Sequence, residues 1–209
     1  MSYANYPAML FSDTAGWTEV DRSHHDRRWY LSHLVMPLSL LPPALYAYAE
    51  MAHPGAIFPL SVPAMSGLQL FVSGAIFYIA QLIMVSYMAM LIQRMSMARD
   101  HDPGYDGAYA LAAIAPTPLW LGSLAMLVPS LAFNVAIGIL ALLASIALIR
   151  HGVRPLLHIA DDKIAHYVSN MVTMAAIGAW FVLMIMAAMI LSIFFGVACA
   201  SIGEYAKPV

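Results

Sequence analysis

Apolar residues run through this chain in long stretches, and the positions that break them are few enough to map one by one. No Asp, Glu, Lys or Arg occurs in residues 29–49, 51–93, 107–149 or 164–203. A helix needs roughly 20 apolar residues to cross the ~30 Å hydrocarbon core of a bilayer, so 29–49 predicts one crossing. Within 107–149 the Val128-Pro129-Ser130 step divides the stretch, because proline has no N–H with which to continue a helix. That predicts two spans, 108–128 and 130–149, joined as a tight hairpin. Pro54, Pro59 and Pro63 turn the start of 51–93 into a loop and leave one span over 66–93. The last stretch has no internal turn signal and predicts a single tilted span over 169–199. The expected fold is an all-α integral membrane protein with five transmembrane helices. Residues 1–28 form an arm, 29–203 the membrane domain and 204–209 a tail.

Before the last span, residues 155–169 are amphipathic at helical spacing. Leu156, Leu157, Ala160, Ile164 and Tyr167 share one face, and His158, Asp161, Asp162, His166 and Ser169 share the other. This predicts an amphipathic helix lying in the membrane interface. Basic residues then orient the whole. Arg22, Arg27, Arg28, Arg94, Arg99, Arg150, Arg154 and Lys163 fall on one side of a five-span chain, and Lys207 alone falls on the other. Basic loops stay in the cytoplasm, so the N-terminus is expected inside and the C-terminus outside. The polar first 28 residues carry no pattern of a cleavable leader.

Composition agrees with the solvent that the pattern implies. Of 209 residues, 62% are hydrophobic and 10% charged, against about 45–50% and 25% in soluble domains. A net charge of −2 without a basic run argues against a nucleic-acid partner. One cysteine rules out an intrachain disulfide and a CxxC redox pair.

Candidate chemistry is sparse. Intramembrane charges mark ion and proton pathways, and the five spans contain none. His33, one turn into the first span, is expected to be an interfacial or backbone-bonded histidine. Uncharged polar residues at depth include Gln69, Ser73, Gln81, Thr117, Ser123 and Asn134, of the kind that bond helix to helix. Pro37, Pro42 and Pro43 break the first span, and Pro116-Thr117-Pro118 breaks the third, freeing backbone carbonyls inside the bilayer. Such breaks set helix shape, and in transporters they also build sites. His158, Asp162 and His166 stand four residues apart, the one spacing that could set metal ligands on a helix face, although neighbouring turns of one helix present only two ligands to one ion. The 16 methionines are spread through apolar helices and read as packing rather than a copper relay. No nucleophile–base set, phosphate loop or nucleotide motif occurs, so neither an enzyme nor a cofactor is expected.

Several short segments, in order along the chain, fit the pattern of one membrane-protein family. Phe11-Ser12-Asp13-Thr14-Ala15-Gly16-Trp17 is similar to that family's entry with a tryptophan ahead of the membrane, and Val35-Met36-Pro37-Leu38 to its opening of the first helix. Thr117-Pro118-Leu119-Trp120-Leu121-Gly122 followed by Pro129 is the closest segment. Gly152-Val153-Arg154-Pro155-Leu156-Leu157 and Asp162-Lys163-Ile164-Ala165-His166-Tyr167 resemble two later motifs. Ala115-Pro116 stands where the family has Tyr-Ser, and the tyrosines of its fourth span are absent. In these segments the chain resembles the Yip family, the Ypt/Rab-interacting five-span membrane proteins, in its bacterial branch, and the resemblance implies a five-helix fold with a cytoplasmic N-terminus and no catalytic residues. Eukaryotic relatives bind prenylated small GTPases in membrane traffic, a partner system that bacterial relatives lack.

These readings point to a non-enzymatic, multi-pass protein of a bacterial cytoplasmic membrane. It would act as an organiser or accessory subunit, binding other integral membrane proteins and lipids, with homo- or hetero-oligomers among its forms. Its structural and interaction candidates are Pro116, Thr117, Pro118, Trp120, Gln81 and Asn134. The alternative is a small permease or lipid-handling protein, which requires Gln81, Asn134 and Thr117 to meet in one cavity at the broken third helix.

Overall fold

A computed structural model describes residues 7–12, 14, 16–23, 25–54, 65–98 and 103–205, with side chains from Met9 to Phe194 within those ranges. The proline loop over 55–64, Arg99, the Cys199 side chain and the tail beyond Tyr205 lie outside the described residues. Helices account for all the regular structure among the described residues. A short 3-10 turn at Pro7–Leu10 and α1 (Trp17–Ser23) make up the arm. There follow α2 (Arg27–Tyr30), a π-turn at Leu31–Val35, α3 (Met36–Ser39) and α4 (Leu41–Ala52). The longer helices are α5 (Gly67–Met97), α6 (Gly104–Ile114) continued by α7 (Thr117–Gly122) and a 3-10 turn at Ser123–Leu127, α8 (Leu131–Leu156) and α9 (Asp162–Tyr205).

Four of these units, Gly67–Met97, Gly104–Leu127, Leu131–Leu156 and Asp162–Phe194, are long and apolar enough to cross a membrane. They correspond to the second to fifth expected spans. The first is divided, as Pro37, Pro42 and Pro43 foreshadow. Pro42 and Pro43 cannot donate to the carbonyls one turn back, and the helix breaks at Leu40 before restarting as α4. Leu40 nevertheless keeps helical dihedrals (φ −75°, ψ −23°), so the chain continues in nearly helical geometry through the break.

Packing follows from side-chain size. In α6 every residue from Ala108 to Ile114 is buried, whereas none of the most apolar window of α9 is. A helix that is apolar on all sides belongs at the centre of a bundle, and the four alanines among those seven residues let neighbours come close. Helix α5 packs on α6 and α9, α8 on α7 and α9, and α4 on α5 and the Ser123–Leu127 turn. At the α7–α8 crossing a Cβ on Gly122 would lie 3.0 Å from the Ala141 Cβ, so a side chain there would require the helices to shift by a few tenths of an ångström.

Two features correct the reading of the charge map. Glu50, the one charge between the first two apolar stretches, is in the last turns of α4 and only 8% exposed, interacting with the Tyr46 hydroxyl. And the expected interfacial helix over 155–169 does not exist as a separate element. Residues 155–156 close α8, 157–161 form a turn, and 162–169 are the first turns of α9, continuous with the last span. Pro155 fails to end α8 at once because a proline in the last turn removes only one N–H from the ladder.

The termination itself is a Schellman end. Ile159 N–H reaches back to the Arg154 carbonyl at 3.2 Å, and His158 takes the left-handed position (φ 52°) that glycine usually fills. Asp161 then caps α9, its Oδ1 accepting from the amides of Lys163 (2.7 Å) and Ile164 (3.3 Å). Gln69 likewise proves to be a capping residue. Its side chain accepts from the Ser66 amide at 2.8 Å while Ser66 Oγ accepts from the Gln69 amide at 3.3 Å, a reciprocal capping box at the start of α5.

Candidate functional site

Gln81 is the centre of a polar clasp in the middle of the bundle. Its Nε2 donates to the Ser39 carbonyl at 3.1 Å, and its Oε1 accepts from Trp120 Nε1 at 2.9 Å. Both partners follow from proline chemistry. Ser39 is four residues before Pro43, so its carbonyl lacks the helical donor it would otherwise have. Trp120 is on α7, whose start at Thr117 is set by Pro116 at the N-cap and Pro118 in the first turn, where no N–H is needed. An indole N–H only donates and a carbonyl only accepts, so the two contacts determine the orientation of the amide. Three helical segments are thereby joined at one residue, with Gln81 and Trp120 both buried. Tyr78, nearly one turn before Gln81, donates to the Met36 carbonyl at 3.3 Å and adds a second tie between α5 and the broken first segment.

The other candidates do not join this clasp. Asn134 secures the Pro129 turn, with Nδ2 donating to the carbonyls of Val128 (3.0 Å) and Ser130 (2.8 Å). The Thr117 hydroxyl is enclosed and makes no hydrogen bond among the described residues. His158, Asp162 and His166 go to three different partners. His158 Nε2 lies 3.1 Å from Asp21 Oδ1, Asp162 pairs with Arg154 at 2.8 Å, and His166 Nδ1 is 3.2 Å from the Asp162 carbonyl. The spacing of four could not align them because His158 lies in the turn and not on α9. Among the described residues no three His, Cys, Asp or Glu side chains are grouped to hold a metal ion. His33 is bonded locally, with Nδ1 3.2 Å from the Trp29 carbonyl, and its ring stacks on Trp29 at 5.1 Å.

On the side of the basic residues the arm is folded onto the bundle. Trp17 is 0% exposed, and its Nε1 donates to the Met9 carbonyl at 3.1 Å. The indole fits against α8 where Gly152 leaves a socket. A Cβ there would stand 2.6 Å from Trp17 Cη2 and 2.8 Å from Leu111 Cδ1. Met9, Trp17 and Val20 thus extend the hydrophobic core, which continues through Leu111, Ile149 and Val153. Polar contacts hold the rim. Besides the His158–Asp21 pair, the Arg27 amide donates to Asp106 Oδ1 at 3.2 Å and the Arg27 guanidinium lies 5.6 Å from the centre of the Tyr105 ring.

A family model described as the Yip1 domain matches residues 8–183, covering the arm, the clasp and the first half of α9. The chain belongs to the Yip1 domain family. No curated protein matches it, and no solved structure does. As a member of the Yip1 domain family it is a multi-pass membrane protein, in agreement with its four long apolar helices.

In this Yip1 domain, the Thr117-to-Gly122 segment has a physical reading at three positions. Pro118 allows the helix restart, Trp120 closes the clasp, and Gly122 permits the α7–α8 approach. Sequence reasoning missed the Trp17–Gly152 socket, although a tryptophan in a polar arm and a glycine near a helix end were both visible. It also missed the Asp161 cap, which the order Asp-Asp-Lys before an apolar run could have shown. Replacing Asp161 with Ala is expected to cost about 1 kcal/mol and to fray the first turn of α9. Faster amide exchange at Lys163 and Ile164, with exchange in α8 unaltered, would be the signature.

Proposed function

We propose that this protein is a non-enzymatic organiser or accessory subunit of a bacterial cytoplasmic membrane, of the bacterial branch of its family, which binds other integral membrane proteins. The observation that carries this reading is the internal use of the deep polar groups. Gln81, Trp120 and the Ser39 carbonyl satisfy one another, and Asn134 serves its own turn. A permease would need those groups turned towards a shared cavity, and they are instead bonded to a neighbouring helix or to their own turn. What the bundle offers outward is apolar helix surface, most of all on α9, where Met174, Phe181, Ile185 and Met189 are exposed. Exposed apolar helix faces in a bilayer are where lipid and partner helices meet the protein.

Five crossings belong to the proposal. From Arg27 to Ala52 the chain makes four helical pieces with a helical joint at Leu40, about 39 Å at the usual rise, which is enough for a broken crossing. The N-terminus is then cytoplasmic and the C-terminus external. Single cysteines at Thr18, Ala160, Val128 and Ala206, placed in a Cys199→Ser background, test this arrangement with a membrane-impermeant maleimide. Labelling of whole cells at Val128 and Ala206 and of inverted vesicles at Thr18 and Ala160 is expected. Labelling of Thr18 and Ala206 from the same side would remove the fifth crossing.

The partner-binding role is tested by crosslinking in native membranes and isolation in mild detergent. A stoichiometric integral membrane protein on α9 is expected. Recovery of the chain alone, from cells whose membrane complexes are unchanged by its deletion, would overturn the role.

A further inference from the structure

Helix α5 is longer than the hydrocarbon core it crosses. Its 31 residues span about 46 Å, so with the apolar middle in the core its last turn reaches headgroup level. At that end, between α5 and the early turns of α9, the surface holds an open groove of about 340 Å³ lined by Leu91, Arg94, Met95, Ala98, Tyr167 and Met171. Arg94 is its one charged residue and pairs with no carboxylate among the described residues. The remaining walls are apolar apart from Tyr167, a residue type that favours the interface. A guanidinium beside apolar side chains in one groove matches the two parts of one molecule, a phosphate diester and the acyl chains attached to it.

We propose that this groove is a binding site for an anionic phospholipid, with the phosphate on Arg94 and the upper acyl chain along Leu91, Met95 and Met171. The inference rests on the membrane placement proposed above and adds a ligand to it. Charge complementarity selects the occupant. A partner helix would leave the arginine facing an apolar surface, whereas a lipid headgroup satisfies it at the depth where headgroups lie. Ala98 has the smallest side chain of the lining.

Native mass spectrometry of the full chain in detergent, titrated separately with phosphatidylglycerol and phosphatidylcholine, tests the site. The unaltered protein is expected to retain phosphatidylglycerol preferentially. Arg94→Gln should lower its occupancy about fivefold, the size of effect associated with one basic side chain near an anionic surface. Arg94→Lys should restore most of the preference, and Ala98→Trp should lower retention of both lipids by filling the groove. Arg150→Gln, on the same side but outside the groove, should leave retention unchanged.

Equal losses in Arg94→Gln and Arg150→Gln would show diffuse surface attraction and overturn the site. So would equal competition by glycerol 3-phosphate, which has no chains, or a dimer abolished by Ala98→Trp, which would make a second copy the occupant. These results are independent of the cysteine labelling, so a reversed orientation would sink the placement while leaving the binding measurement to stand or fall separately.

Discussion

Trp17→Ala should release the arm from the bundle. Removing a fully buried tryptophan costs about 3–5 kcal/mol when the surroundings cannot collapse into the space, and here the socket walls are α6 and α8, rigid helices of the core. The loss should be local. Amides of α1 and of Pro7–Leu10 lose protection from hydrogen exchange and become open to protease, while α5 and α8 keep theirs. Gly152→Ala tests the same contact from the other side. Its new methyl group would meet the indole at 2.6 Å, and because that ring is rigid the arm itself must move, with a cost of about 1–3 kcal/mol. The two changes should not add in the double variant, since a cavity in place of Trp17 accommodates the methyl group. If exchange in α1 is the same in all three variants as in the parent, the socket does not hold the arm.

Gln81→Leu carries the second large effect. It leaves the Trp120 N–H and the Ser39 carbonyl buried without partners, at about 1–3 kcal/mol for each group. The membrane setting does not forgive this, because no water is at hand to replace the lost bonds. Trp120→Phe should cost less, since it removes the donor and leaves Gln81 still bonded to Ser39. Adding Trp120→Phe to Gln81→Leu should then cost little or even restore stability, because the orphaned N–H disappears. Apparent unfolding temperatures of the full chain in detergent read the whole cycle. Strictly additive losses would mean that the clasp is not a bonded unit. A role in partner binding gives these variants a further readout, as Gln81 ties the broken first and third segments to α5 by hydrogen bonds.

The proline breaks between helices were legible because they depend on local backbone chemistry. Pro129 ends one span and Ser130 caps the next, and Pro116 and Pro118 divide the third as expected. The last span was legible in its apolar part and wrong at its start. Amphipathicity over 155–169 is real, but it describes the outward and inward faces of a turn and of the base of α9, and no separate helix. Periodicity reports which side of a helix faces polar surroundings and is silent about whether the axis bends. The His158, Asp162 and His166 spacing failed for a related reason, since a spacing has meaning only if one continuous helix carries all three residues.

Within the candidate site, Gln81 and Trp120 could be singled out as polar groups that must find partners in a bilayer. That they find each other could not be read, because helix-to-helix pairing depends on the rotation and depth of both elements. Glu50 shows the limit of a charge map. By composition a carboxylate belongs at the edge of a span, and the bundle instead buries it beside Tyr46.

The sequence by itself determined the solvent and where the four long apolar helices lie, though not into how many short pieces the first expected span is broken, since the cost of burying charge and of losing backbone N–H groups is decided residue by residue. Only the tertiary structure decided that the polar-looking arm is part of the core, that Gly152 exists to admit Trp17, and that Gln81 satisfies a carbonyl orphaned by Pro43. Those are contacts between residues remote in the chain, and their energy depends on shape and distance, which no local pattern of residues records.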